Sequence, residues 1–133
     1  MIVWTWGYRG GLSFPPKSHE QLRRHIAEQG ITRIIDVRRS PEGQRSNPYW
    51  HRSRLITEFG DLYEHVPVFG QGQWPGQSPD HYAHPAHEKA AALARAGEDI
   101  VLICAEDNPR ECHRLEVAQL IAHLAGGEVR NLY

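Results

Sequence analysis

The eleven residues "CAEDNPRECHR", at positions 104–114, crowd two cysteines, three acids, a histidine and two arginines into one short stretch. Three chemistries fit such a set. The first is nucleophilic. Cys104 follows the apolar run Ile100-Val101-Leu102-Ile103 and precedes a helix start, where free N–H groups and the helix dipole favour a thiolate. Cys104 and Arg110 also have the Cys-x₅-Arg spacing of phosphate-cradling cysteine enzymes, which would make the protein a cysteine-dependent phosphatase or sulfurtransferase. Against this stand Glu106, Asp107 and Pro109, which add negative charge and remove a donor where an oxyanion would have to sit. The second chemistry is zinc ligation by Cys104, Cys112 and His113. The ligand types suit zinc, but the spacing matches no common zinc arrangement, so no metal ligand is assigned and no cofactor is required. The third is an anion or nucleotide site in which Glu106 orients or deprotonates and Arg114 holds charge. It needs the fewest assumptions.

Helix geometry adds a constraint on Arg114. Asn108 can cap a helix, Pro109 fits its first position, and Glu111 completes a capping-box-like arrangement. At about 100° per residue, Leu115, Val117, Ala118, Leu120, Ile121 and Leu124 lie in a broad apolar arc with Arg114 near its centre. An arginine there is either paired, with Glu106 or Asp36 as partners, or projects past the sheet edge into a cleft, because an unpaired buried charge is expensive. Cys112 falls on the polar side with Glu116, Gln119 and His123. His113 lies at the edge of the apolar arc.

A second stretch, "DVRRSPEGQRSNPYWHRSR" at 36–54, holds five arginines and His51 from residue 38 onward against the single acid Glu42. Asn47, Tyr49 and Trp50 interleave an amide and aromatics with those charges, a composition that grips nucleotides or single strands by phosphate attraction and base stacking. The plainer alternative is a solvated loop whose aromatics pack on the core. His81, His84 and His87 recur every three residues, but Pro85 interrupts them, so they read as a loop and a helix start rather than a metal site. The glycines and Trp74 of residues 70–83 make a segment long enough to act as a lid.

The elements that must position these residues are legible from pattern. Ile2–Trp6 is a strand stopped by Gly7. Ser18 and Gln21 form a capping box ahead of a helix with Leu22, Ile26 and Ala27 on one stripe, ended by Gly30. "ITRIIDV" at 31–37 is a second strand, 39–52 a loop and Arg52–Phe59 a weak helix. "LYEHVPV" at 62–68 is a third strand, His87–Ala96 a helix, and "DIVLICA" at 99–105 a strand covered on both faces. Asn108–Ala125 is the strongest helix and Glu128–Tyr133 a last short strand. Strands alternating with helices predict an α/β fold. It is a single domain over 1–133, with a mainly parallel sheet of about five strands and helices on both faces, Rossmann-like. Crossovers of one hand then bring every strand's carboxyl end to one edge, where such folds bind ligands. Tyr8 and Arg9 follow the first strand, Asp36 and Arg38 the second, and Cys104 and Glu106 the fourth.

Bulk properties exclude several classes. At 133 residues the chain is long enough to bury a core without staples. The net charge of −1 excludes a globally basic nucleic-acid binder but not a local basic patch. All but two of the 15 basic residues are arginine, which suits recognition of planar anions as well as reflecting base composition. No apolar run approaches the roughly 18 residues of a membrane span. Two cysteines without a secretory leader suggest a reducing, cytoplasmic setting.

With these motifs in hand, the chain resembles the domain-of-unknown-function 488 family over nearly its full length. The resemblance rests on "TWGYRG" at 5–10, "DVRRSP" at 36–41, Asn47-Pro48, "PVFGQG" at 67–72 and the Cys-Ala-Glu…Pro…Cys-His-Arg signature. It implies a compact α/β domain with Asp36, Arg38, Cys104, Glu106, Pro109, Cys112, His113 and Arg114 gathered on one side. The family's name assigns no activity. Family openings are often Thr-x-Gly followed by His or Tyr, and Trp6 is unusual at the middle position, while the histidines of 81–87 look particular to this chain.

The expectation is a cytoplasmic protein binding a phosphate-bearing small molecule or a nucleic acid at the sheet's carboxyl edge, with no membrane partner. Tyr8, Arg9, Arg38, Asn47 and Arg114 would bind the anion, while Asp36, Glu106, Cys104, Cys112 and His113 are the candidates for catalysis. The main rival is an interaction or sensor module in which the same residues form a salt-bridged clasp.

Overall fold

Ile100–Cys104 is buried at every position because it forms the middle strand of a five-stranded parallel sheet. The architecture comes from a computed structural model describing residues 1–9, 17–42, 47–70, 86–105 and 114–133. In chain order the elements are β1 (Ile2–Gly7), α1 (His19–Gln29), β2 (Arg33–Asp36), α2 (Arg52–Phe59), β3 (Tyr63–His65), α3 (His87–Ala96), β4 (Ile100–Cys104), α4 (Arg114–Ala125) and β5 (Glu128–Asn131). Spatial order is β3-β2-β4-β1-β5. The fold is the expected α/β sheet with helices on both faces.

Side-chain alternation divides the core in two. Val101 and Ile103 pack with Trp4, Trp6, Ile34 and Tyr63 under α1 and α2. Ile100, Leu102 and Cys104 pack with Ile35 and Val37 under α3 and α4. The connections explain the division. From β1 the chain moves to β2 and then to β3, all in one direction, whereas β3 to β4 and β4 to β5 run the other way. With a single handedness of crossover, the two directions place their helices on opposite faces. The reversal falls at β4, between β1 and β2, so the switch-point crevice, where open α/β folds generally bind ligands, lies outside the carboxyl end of β4.

Local signals were obeyed closely. Ser18 caps α1 in the two-way box with Gln21, and Gly30 closes the helix at φ 66°. The helices Arg52–Phe59 and His87–Ala96 have the expected limits. Two segments differ. The third strand stops at His65 and residues 67–70 turn into a 3₁₀ helix, since Pro67 has no N–H to extend a ladder. The expected loop over 39–52 contains a 3₁₀ turn, Pro48–Trp50, capped by the Asn47 side chain. The helix expected from Asn108 is described from Arg114 onward, and the possible lid at 71–83 lies outside the described residues. Among the described residues no helix is long and apolar enough to cross a membrane.

Candidate functional site

Asp36 and Arg38 follow the alternation of β2 onto the face that carries Ile34, and there they make a closed pair. Arg38 donates from Nε to Asp36 Oδ1 at 2.9 Å and from Nη2 to Oδ2 at 2.7 Å. The backbone N–H of Arg38 adds a third bond to Oδ1 at 3.1 Å, and the Tyr63 hydroxyl donates to Oδ2. Asp36 is 0 % exposed and Arg38 7 %. Burial acts to lower the Arg38 pKa, but the hydrogen bonds and charge of Asp36 outweigh it and raise it above the ordinary value. Burial, reinforced by Asp36, likewise pushes the Tyr63 phenol well up, so Tyr63 stays a neutral donor.

The guanidinium then reaches toward β1. Nη1 donates to Tyr8 Oη at 3.3 Å, and the guanidinium carbon lies 5.3 Å from the Tyr8 ring centroid. Because β4 lies between β2 and β1, this side chain spans the carboxyl end of the central strand. Tyr8 is fixed by main-chain bonds that continue the β1–β4 ladder, Tyr8 N to Cys104 O at 3.1 Å and Arg9 N to Ala105 O at 2.9 Å. Its ring stacks on Trp50 at 4.8 Å and 14°. The Arg38 main chain is gripped as well. His65 Nε2 lies 2.7 Å from the Arg38 carbonyl, and Gly70 packs so closely that a Cβ there would come within 2.5 Å of Arg39 N.

A guanidinium has five N–H donors, of which Nε, Nη1 and Nη2 each use one here. Two remain, one on each terminal nitrogen, together with the Tyr8 hydroxyl hydrogen. One of the guanidinium donors is shared with the Tyr63 oxygen; the rest have no acceptor among the described residues, although Tyr8 is only 4 % exposed. Buried donors are normally satisfied. The clamp itself is neutral, Asp36 cancelling Arg38. Further positive charge at this edge comes from Arg9 and Arg39, both exposed, and from Arg114 at the start of α4.

Asp36 is therefore an orienting group. About four lone-pair sites on a carboxylate accept hydrogen bonds, and they are filled here by Arg38 and Tyr63, which leaves no base to act on a ligand. Arg114 is 1 % exposed, as its place on the helical arc requires. Asn47 accepts from Tyr49 N at 3.0 Å, so its side-chain oxygen holds the 3₁₀ turn. Trp50 is fully buried and cannot stack on a base. Arg52 and Arg54 pair with Glu42 and Glu58. Among the described basic and aromatic residues of this stretch Arg38 and Trp50 are buried, whereas Arg39, Tyr49, Arg52 and Arg54 are exposed. Glu106, Cys112 and His113 lie outside the described residues.

Cys104 departs most from expectation. Its side chain packs with the α3/α4 cluster, on the face opposite Asp36 and Arg38, and is 5 % exposed. It is disulfide-bonded, so its sulfur is neither a thiolate nucleophile nor a thiolate ligand in this structure. Alkylation of the native protein without reductant is expected to leave Cys104 unlabelled, as peptide mass spectrometry would show. Rapid labelling before reduction would restore the thiol chemistry. Among the described residues no three histidine, cysteine or acidic side chains come together to hold a metal.

Two members of the clamp were missed by pattern reading. Tyr63 and His65 sit on an ordinary-looking strand, and only their register beside Ile34 and Asp36 in β2 brings them to the site. No local signal marks either.

A family model described as domain of unknown function DUF488 matches residues 18–121. The matched span holds Asp36, Arg38, Tyr63, His65, Gly70 and Arg114, and Tyr8 precedes it. Neither comparison with curated proteins nor comparison with solved structures gives a match.

Proposed function

We infer that this chain, which belongs to the family of the domain of unknown function DUF488, binds the phosphate group of a small phosphoester or a nucleic-acid end at the carboxyl edge of β4. The observation carrying this reading is the set of donors on Arg38 and Tyr8 that have no acceptor among the described residues. They are held at a topological switch point by a carboxylate whose lone pairs are already filled. A tetrahedral oxyanion supplies acceptors to those donors, and Arg9, Arg39 and Arg114 supply the positive field. The reading takes the protein to act in the cytoplasm, where thiols are kept reduced and the disulfide at Cys104 would be transient.

The test is calorimetry and thermal shift with inorganic phosphate, pyrophosphate, mononucleotides and short single strands. Phosphate is expected to stabilise the wild type. Arg38→Lys is expected to weaken binding by at least about tenfold, because an ammonium cannot hold Asp36 bidentately and still present a planar donor edge. A second reading, the interaction module with a salt-bridged clasp, is favoured by the completeness of the Asp36 pairing. Absence of stabilisation by all four probes, with Arg38→Lys changing only the melting temperature, would select that reading.

A further inference from the structure

The phosphate clamp leans on a second assembly, built around His19 at the first turn of α1. His19 is 3 % exposed, and its ring lies flat on Tyr49 with centroids 3.8 Å apart and planes 9° from parallel. Its backbone N–H donates to Tyr49 Oη at 3.0 Å, and its Nε2 lies 2.8 Å from the Tyr49 carbonyl. A carbonyl only accepts, so Nε2 carries the hydrogen and the neutral ring keeps its lone pair on Nδ1. Trp50 meets the same ring edge-on at 4.7 Å. Trp50 in turn stacks on Tyr8, which accepts from Arg38. The contacts run without a gap from His19 through the Pro48–Trp50 turn to Tyr8 and Arg38.

We propose that His19 is a proton-controlled positioning residue for the phosphate site: when neutral it docks the Pro48–Trp50 turn that holds Tyr8 against Arg38, and a second proton loosens that dock and weakens anion binding. The proposal rests on the phosphate-binding reading of the clamp. A proton on Nδ1 has no acceptor among the described residues, and the ring is packed edge-on against Trp50 and Phe59. Of the groups around the ring, the Tyr49 carbonyl and Glu58 of α2 favour the proton, while Arg54 of α2 and Arg23 of α1 oppose it. Glu58 is itself bonded to Arg23 and Arg54. Burial is the largest influence and holds His19 below the ordinary histidine range. The sign follows from linkage. Above the ordinary value of about 6.5 the docked turn carries no proton penalty. As pH falls below it, the undocked form takes the proton first, and docking weakens until the lowered pKa is passed. His25, held down by its own burial and 6.3 Å from Trp6, titrates with the same sign and serves as the control.

Sulfate is the probe, since it does not change charge between pH 5 and 8. Its affinity is measured across that range for the wild type, His19→Gln and His25→Gln. Acrylamide quenching of tryptophan fluorescence and the NMR titration of the histidine rings are followed alongside. Glutamine keeps an N–H for the Tyr49 carbonyl but does not titrate. The wild type and His25→Gln are expected to lose at least about threefold in sulfate affinity relative to His19→Gln between pH 7.5 and 5.5. Quenching should rise along the His19 titration. His65 lies beside the Arg38 carbonyl in all three proteins and cancels in the comparison. Identical pH profiles for wild type and His19→Gln, or a His19 titration unaccompanied by quenching, overturn the proposal. Failure of sulfate to bind the wild type even at pH 8 refutes the phosphate site instead, and the dock is then judged on quenching against the His19 titration. The same wild-type measurement decides if His19→Gln does not fold.

Discussion

Arg38→Met is expected to lower the unfolding free energy by about 3–5 kcal/mol and to abolish phosphate binding, whereas adding Asp36→Leu should return most of the stability and none of the binding. The single substitution leaves Asp36 fully buried with the Tyr63 hydroxyl and one backbone N–H but without its countercharge. An uncompensated buried charge is costly. The double substitution removes the charge as well, and a methionine–leucine pair of similar bulk can pack among the aromatic residues under α1 and α2. A pair kept only to hold the fold is replaceable in this way. A pair kept to aim a guanidinium is not. Urea unfolding gives the first quantity and phosphate calorimetry the second. Recovery of both stability and binding in the double variant would place the anion elsewhere. No recovery of stability would mean that the Tyr63 and Tyr8 hydroxyls, left without partners, matter more than the ion pair.

The contrast between Arg38 and Cys104 shows how far pattern reading reaches. Arg38 was legible because topology alone brings the end of β2 to the ligand-binding edge, and Arg114 was legible because helical phase alone places it under the apolar arc. Each conclusion uses one local period and one global rule. The direction of the Cys104 side chain was not legible, for the complementary reason. Its place at the end of β4 was right, but strand parity turns it toward α3 and α4 while Asp36 and Arg38 face α1 and α2. Parity follows from register, and register is fixed by pairs such as Asp36 with Ile103, which no single segment contains. Trp50 illustrates a further limit. An aromatic among arginines has the composition of a stacking surface, and composition is blind to the fact that Tyr8, Trp6 and His19 already surround the ring. The turn itself could have been found, since asparagine followed by proline is an N-cap followed by a first helical residue.

Gly70→Ala carries the second large effect, and it acts on the clamp without touching a ligand. A Cβ at Gly70 would lie 2.5 Å from Arg39 N, 2.6 Å from Arg39 Cα and 2.9 Å from the Arg38 carbonyl carbon. All three are main-chain atoms, so no side chain can swing aside to relieve the overlap. The strand-end segment on the opposite side is held by His65 at the Arg38 carbonyl and by the Val66 N–H on the Asp36 carbonyl at 3.0 Å. The two segments must therefore separate, and Arg38 moves with its backbone. Overpacking of this kind costs about 1–3 kcal/mol of stability. A loss of at least about tenfold in phosphate affinity is expected as well, equal to about 1.4 kcal/mol, because the Tyr8 and Asp36 contacts cannot both follow a displaced guanidinium. Ile56→Ala, an exposed change on α2, should alter neither quantity. Wild-type affinity in Gly70→Ala would show that the donors of Arg38 need no fixed main chain, and the phosphate site would lose the rigidity on which it depends.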